Sequence, residues 1–349
     1  MTSRERVLTA FEHREPDRVP AWCGASEGFW AKAKRELGLE DEVLRARFGD
    51  DFRRVHARYT GPEAALPEGV TYRTVFGVDR HGLGYGQPLR HPLAEATLET
   101  IHGYPWPEPA WTDPAGIRGA AEAYDGRYAI LGGDWSPFWH DAIDLLGMEH
   151  LYVSMFETPE RVDAVMGHLV DYYAASSRRI FEAAGDVIDI FFLGNDFGSQ
   201  TGPLLSAGQF RRFILPHLEL LIALGHGYGL KVMLHCCGGI APLIPSLIEA
   251  GLDGLHAVQS SCRGMDLRRL KAEFGGKILF NGGIDSHRVL IEGTPGTVRD
   301  KTREVLEVMK AGGGFVAGAS HDTILEETPV ENVVAMFDAV QEFGGYGAG

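Results

Sequence analysis

Residues 230–258, LKVMLHCCGGIAPLIPSLIEAGLDGLHAV, decide the fold. The stretch opens with an apolar run, LKVMLH, that ends in polar residues. Ile240, Leu243, Ile244, Leu247 and Ile248 then recur at helical spacing until Gly251 stops them. A second apolar run, GLHAV, follows at 254–258. Strand, helix and strand in this order form the unit that joins parallel strands. Apolar residues in succession, rather than in alternation, mark strands covered on both faces.

The same pattern extends in both directions. Further runs occur at 128–133 (YAILGG), 187–193 (VIDIFFL), 277–281 (KILFN) and 314–317 (GFVA). Adding 18–23 (RVPAWC) and 52–59 (FRRVHARY) gives eight strands, so the expected fold class is α/β, a (β/α)8 TIM barrel forming one catalytic domain over 1–349. A doubly wound open sheet is the alternative. Helix starts are signalled by Thr158-Pro159, Ser206 with Gln209, Thr294-Pro295, and Thr328-Pro329 with Glu331. Pro216 is expected to kink or split its helix. Residues 70–92, rich in aromatics, Gly and Pro, read as an inserted hairpin and loop over the barrel mouth, and the GGYGAG tail as a frayed end.

Composition excludes several classes. The 349 residues are 44% hydrophobic, ordinary for a globular chain, and no apolar run approaches the ~20 residues that a membrane helix needs. MTSRERVLTAFEHREPDRVP is charged from its third residue and lacks the apolar core of a signal peptide. The net charge is -15 with no basic stripe, which disfavours nucleic acid as a partner. Four cysteines, Cys23, Cys236, Cys237 and Cys262, read as free thiols in a reducing cytoplasm. Pairing as a homodimer is left open.

In such barrels the carboxyl ends of the strands carry the chemistry. Those positions hold Asp134 and Trp135; Asn195 and Asp196; His235, Cys236 and Cys237; Gln259; Asn281 and Asp285; and Ser320, His321 and Asp322. Strand alternation puts His235 and Cys237 on one side and Cys236 on the other. An imidazole and a thiolate so placed can reach one tetrahedral ion, and the pair suits zinc. His321 offers a third ligand from the last strand end. Against this stands the reading of Cys237 as a small buried hydrophobe. Asp196 reads as a base, a substrate anchor or a turn cap. Trp22, Trp135 and Trp139 form either a pocket wall or core, and Gln259 and Asn281 are candidate substrate contacts. His81, His91, His140 and His217 have no role readable from sequence.

At these residues the chain resembles the uroporphyrinogen decarboxylase superfamily. The likeness runs from Ser3-Arg4-Glu5-Arg6-Val7 and Glu15-Pro16-Asp17-Arg18-Val19-Pro20, through Phe76-Gly77-Val78-Asp79, to 230–259, FNGGIDSHRVLIEGTP and GGGFVAGASHDTILEETPVEN. Porphyrin-decarboxylating members carry an arginine-rich Met-Arg-Gln-Ala-Gly-Arg-Tyr segment after the first strand. Here Ala21-Trp22-Cys23-Gly24-Ala25-Ser26-Glu27 follows, with no arginine until Arg35, so a multiply anionic macrocycle has little to grip. The other branch, methyltransferases acting with corrinoid proteins, binds zinc through a His-x-Cys at this strand end and a Cys near the last one. His235 and Cys237 match the first two ligands, while Ser320-His321 stands where thiol-methylating members have Cys.

The resemblance implies methyl transfer between a small-molecule substrate (a methyl ether, amine or thiol) and a corrinoid carried by a partner protein. It also implies zinc on His235, Cys237 and His321, with Asp196 and His321 as catalytic groups. The alternative is decarboxylation of a small organic acid, its carboxylate held by Arg73, Arg80 or Arg263. A non-catalytic binding protein is a third reading.

Overall fold

Burial on both faces holds along each apolar run. In the computed structural model, which describes residues 1–63, 65–82 and 86–347, seven strands form the centre. They are β1 (Phe52–Arg54), β2 (Ala129–Gly132), β3 (Ile190–Gly194), β4 (Lys231–His235), β5 (Gly254–Val258), β6 (Leu279–Ile284) and β7 (Phe315–Ala319). Nearly all of their residues are buried. They pair in chain order, all parallel, as one curled sheet.

The two ends of that sheet meet at Ala21, which bridges in parallel to Asp50 beside β1 and to Ala317 of β7. The strand expected over 18–23 thus contracts to one bridging residue. Pro20 lacks the N–H that a longer ladder requires, and Arg18 turns away to bridge Gly345. The strand expected over 52–59 also shortens. It ends at Arg54, and Arg58–Tyr59 pairs instead with Thr112–Asp113 in a separate ribbon. Arg54, His56 and Arg58 follow one another on alternate positions, and such side chains are costly between two apolar layers.

Asp51 secures the seam. Its Oδ2 accepts the Ala21 N–H at 2.8 Å, while its own N–H donates to the Ala21 carbonyl at 3.0 Å. Arg6 donates to its Oδ1 at 2.7 Å, and Arg18 reaches both oxygens at 2.8 and 3.0 Å. Asp17 completes the cluster, and the Arg6 guanidinium holds its carboxyl down to about 2.

Inside the sheet, Trp22, Phe52, Leu131, Phe192, Met233 and Leu279 pack together with Val7, Ala10 and Phe11. The last three belong to α1 (Ser3–Phe11), which opens with a Thr2–Glu5 capping box and closes the end where the strands begin. The outer layer includes α2 (Phe138–Leu146), α3 (Pro159–Ala184), α4 (Leu215–Gly227), α5 (Leu267–Phe274), α6 (Pro295–Met309) and α7 (Val330–Phe343). Pro216 falls in the first turn of α4, where its missing N–H costs nothing. The break it was expected to cause is a π-turn over Phe210–Ile214 just before.

Between β1 and β2, Tyr72–Arg73, Asp79–His81 and Gln87–Pro88 make a small antiparallel sheet. Residues 83–85 of the expected insertion and 348–349 of the tail lie outside the described residues. The tail is held at its start, with Gly345 bridging Arg18 and the Tyr346 hydroxyl donating to the Lys310 carbonyl. Among the described residues no helix is long and apolar enough to cross a membrane.

Two stability measurements follow from this packing. Asp51→Ala strands two arginines at the seam, and its expected cost is about 3–5 kcal/mol in urea unfolding; a loss under 1 kcal/mol would show that the seam closes without it. On α2, Asp141 is buried and accepts from the Tyr173 hydroxyl at 2.5 Å; burial pushes its carboxyl up to about 7. The folded state therefore holds this proton more tightly than the unfolded chain, so the contribution is full below about pH 4 and declines as pH rises to about 7. Unfolding of Asp141→Asn across that window should lack the decline.

Candidate active site

The carboxyl ends of β3 and β4 meet through backbone and side chains together. The Asn195 N–H donates to the His235 carbonyl at 3.0 Å. Its buried amide accepts from the Trp139 N–H at 2.9 Å and donates to the Ser136 carbonyl at 3.0 Å, joining the loops after β2 and β3. Asp196 then projects toward β4. Its Oδ1 accepts the Cys237 N–H at 2.7 Å and lies 3.5 Å from Nε2 of His235, while Oδ2 lies 3.5 Å from Nε2 of His140. Nε2 of His235 is 3.3 Å from the Cys237 sulfur. Cys236 faces the other way, where its sulfur accepts the Phe197 N–H at 3.3 Å, as strand alternation requires.

Glycines permit this approach. Gly238, at φ +93, lies against Gly198, and a Cβ there would meet Gly198 backbone at 2.5 Å. At Gly194 a Cβ would fall 1.9 Å from the Trp135 ring, which itself stacks on His235 at 5.6 Å between centroids.

Asp196, His235 and Cys237 place one ligand atom each within 4.8 Å of one another. Zinc bonds of ~2.0–2.3 Å at tetrahedral angles put neighbouring donors about 3.4–3.6 Å apart. The observed 3.3 and 3.5 Å match, and the O, N and S donors suit that ion. Two of the three expected ligands, His235 and Cys237, lie in this group. His321 joins no such group among the described residues, and its Nδ1 is engaged by the Thr323 backbone in its own loop. Asp196 is the third member of the group. Burial raises the Asp196 carboxyl, but hydrogen bonds from His140, His235 and the Cys237 amide prevail and hold it well below the carboxylate range. Burial, then the Asp196 charge, pushes the Cys237 thiol far up, so a neighbouring cation is what would favour its thiolate.

The remaining expected residues are spread around the mouth. Trp135 and Arg54 line a cavity of about 390 Å³ with His56, Asp134, Tyr172 and Asp322. Trp22 lines a second of about 320 Å³, again with Arg54, and its ring packs inside the sheet against Phe52 and Phe192. Gln259 and His321 line a third of about 400 Å³. Gln259 also has a structural task, since its Oε1 accepts the Gly238 N–H at 2.6 Å. Asn281 is buried on β6 with Oδ1 lacking a partner. Trp139 is fully buried between Tyr152 and Phe197, so it backs the wall rather than facing the mouth. Ser320 ties the end of β7 to the turn after β6, accepting the Ser286 N–H at 3.0 Å.

Four residues escaped the sequence reading. Arg54 and His56 were hidden because the first run was read through to Tyr59, yet the strand stops at Arg54 and so puts both at its carboxyl end. The Arg54 guanidinium lies 5.0 Å from the Trp135 ring, and burial with the Arg54 charge drives His56 down to about 4. His140 sits on α2 at 3.5 Å from Asp196 with no sequence signal beyond its type. His256 was absorbed into the GLHAV run; it is fully buried, and burial holds it well below the usual histidine range. Asp134 moves the opposite way, raised by burial to about 6.

The Gly194 contact is directly testable. Gly194→Ala should drive Trp135 off His235 and cost about 1–3 kcal/mol, read by unfolding together with a change in tryptophan emission. Unchanged stability and emission would mean that the ring has room to spare.

Three comparisons with known proteins bear on this arrangement. A family model described as uroporphyrinogen decarboxylase (URO-D) matches residues 115–343. The chain is 24% identical to a methylated-thiol–coenzyme M methyltransferase of Methanosarcina mazei, over 99% of this chain and 94% of that one. It is 21% identical to a methylcobamide:CoM methyltransferase of Methanosarcina acetivorans (98% of each), and 22% identical to a uroporphyrinogen decarboxylase of Coxiella burnetii (97% and 95%). A solved structure of a methyltransferase from Methanosarcina mazei shares the fold with a TM-score of 0.69 at 19% identity, covering 98% of this chain and 99% of that one. With the match spanning well over half its length, this chain belongs to the uroporphyrinogen decarboxylase family.

Proposed function

We propose that this chain is a (β/α)8-barrel enzyme, one catalytic domain with Ala21 as its eighth stave, that moves a methyl group between a small organic substrate and a corrinoid on a partner protein. The observation that carries the reading is the convergence of Asp196, His235 and Cys237 at the carboxyl end of the sheet. Full-length relatives named as methyltransferases support it. So does the segment after Ala21, which has no arginine before Arg35 to grip a polyanionic macrocycle.

Asp196, His235 and Cys237 would hold zinc, which when bound draws charge from a thiol or a departing heteroatom. The chain's own residues supply the rest. Asp196, between His235 and His140, orients the donor set, and His140 on its outer side is placed to hold or pass a proton. Trp135, stacked on His235, and Trp22, packed on His256 behind it, keep water from this side and give the substrate an apolar wall. Arg54, above the Trp135 ring, sets the polarity of the mouth. The corrinoid partner would dock over that mouth.

Decarboxylation of a small acid is the second reading, favoured by the Coxiella burnetii relatives. Two of the three anchors it was expected to use are occupied: Arg73 is paired with Asp79, and Arg80 with Asp144. That reading would have to use Arg263.

Elemental analysis of protein purified without added metal should find stoichiometric zinc, lost in His235→Ala, Cys237→Ala and Asp196→Asn. Methylcobalamin and a panel of small thiols, followed by cobalamin absorbance, should show methyl transfer that the same variants abolish. A metal-free wild type that leaves methylcobalamin untouched and releases carbon dioxide from small acids would replace this reading with the second.

A further inference from the structure

Behind His235 lies a second imidazole. His256, in the middle of β5, is fully buried, and its Nδ1 stands 3.1 Å from Nδ1 of His235. Two imidazole nitrogens at that distance share a single proton: one carries it and the other accepts. If His256 carried it, a neutral His235 would hold its own proton on Nε2, the atom that faces the Cys237 sulfur and Asp196 Oδ1. If His235 carries it on Nδ1, Nε2 turns a bare lone pair toward those two groups. His256 Nε2 has no partner among the described residues in either arrangement, and a cation held by Asp196, His235 and Cys237 needs a bare Nε2 on His235, which puts the shared proton on Nδ1 of His235.

The surroundings of His256 fix its ring. Trp22 and Phe192 pack on it with centroids at 4.8 and 5.3 Å. Asp322 Oδ1 is 3.8 Å from the same Nδ1, outside hydrogen-bond reach, and His321 and Arg54 are the other charged or titratable groups acting on it. His256 also belongs to a second ligand-capable group, His235–His256–Asp322, but the shared proton between the two Nδ1 atoms occupies the side of His235 that such a site would need.

We propose that His256 is a positioning residue: its Nδ1 accepts the Nδ1–H of His235 and so fixes the tautomer and ring plane that aim His235 Nε2 at the meeting point of Asp196 and Cys237. The inference rests on the metal-centre reading above. Metal-binding histidines generally give their second N–H to an acceptor that orients the ring, often a carboxylate or carbonyl. A neutral imidazole in that place orients the ring without adding negative charge, which leaves a bound cation more electrophilic.

The test joins nitrogen-15 NMR of histidine-labelled full-length protein with zinc titration of wild type, His256→Phe and His256→Asn. In zinc-bound wild type the His235 proton should reside on Nδ1. His256→Phe should bind zinc about 10–100-fold more weakly. His256→Asn, whose Oδ1 can take the place of Nδ1 as acceptor, should bind within a few fold of wild type. A zinc-bound wild-type His235 with no proton on Nδ1, or His256→Phe binding zinc as tightly as wild type, overturns the proposal. If wild type binds no zinc, the metal-centre reading fails, and the proton position on His235 still decides the role of His256. Should His256→Phe not fold, the wild-type spectrum and His256→Asn carry the decision.

Discussion

A sheet that curls on itself must join its first and last strands, and here that junction is one residue wide. Ala21 touches both edges, and the carboxylate of Asp51 supplies an acceptor that a longer strand would have provided from its backbone. The charge this places in the interior is matched by Arg6 and Arg18. Buried charges of this kind are tolerated only when every one is answered, and the cluster with Asp17 meets that condition. The polar strand ends depend on it, because only a closed rim brings β7 and its loop round to β1, where Asp322 and Arg54 border the same cavity.

Much of this was legible in the sequence, for a physical reason. Strands buried on both faces must be apolar throughout, so β2 to β7 stand out as uninterrupted runs, and the polar residues after them mark one rim. The junction was not legible in the same way. Arg18–Cys23 has strand-like composition, but Pro20 and the pull of Asp51 on Arg18 leave a single bridge. FRRVHARY reads as one strand because its apolar and basic residues alternate, yet the basic ones cannot enter the sandwich of sheet and helices.

The candidate site was half legible. Alternation along β4 separates Cys236 from Cys237, and the structure keeps that separation. Which side chain comes near His235 and Cys237 depends on where the loops run: His321 contacts the Thr323 backbone in its own loop, while Asn195 ties down the loop that carries Asp196. His256 shows the limit from the other side. A lone histidine inside an apolar run looks like core until the neighbouring strand is known to carry His235 at the paired position. Its partner is fixed by register, and register is a property of two segments.

The helix at the amino end has a consequence for traffic. With Val7, Ala10 and Phe11 seated under the interior side chains, the cylinder is a cup rather than a tube. Whatever reaches its floor must leave by the lip it entered. Two molecules that exchange a group there would have to share that lip, either side by side or in turn.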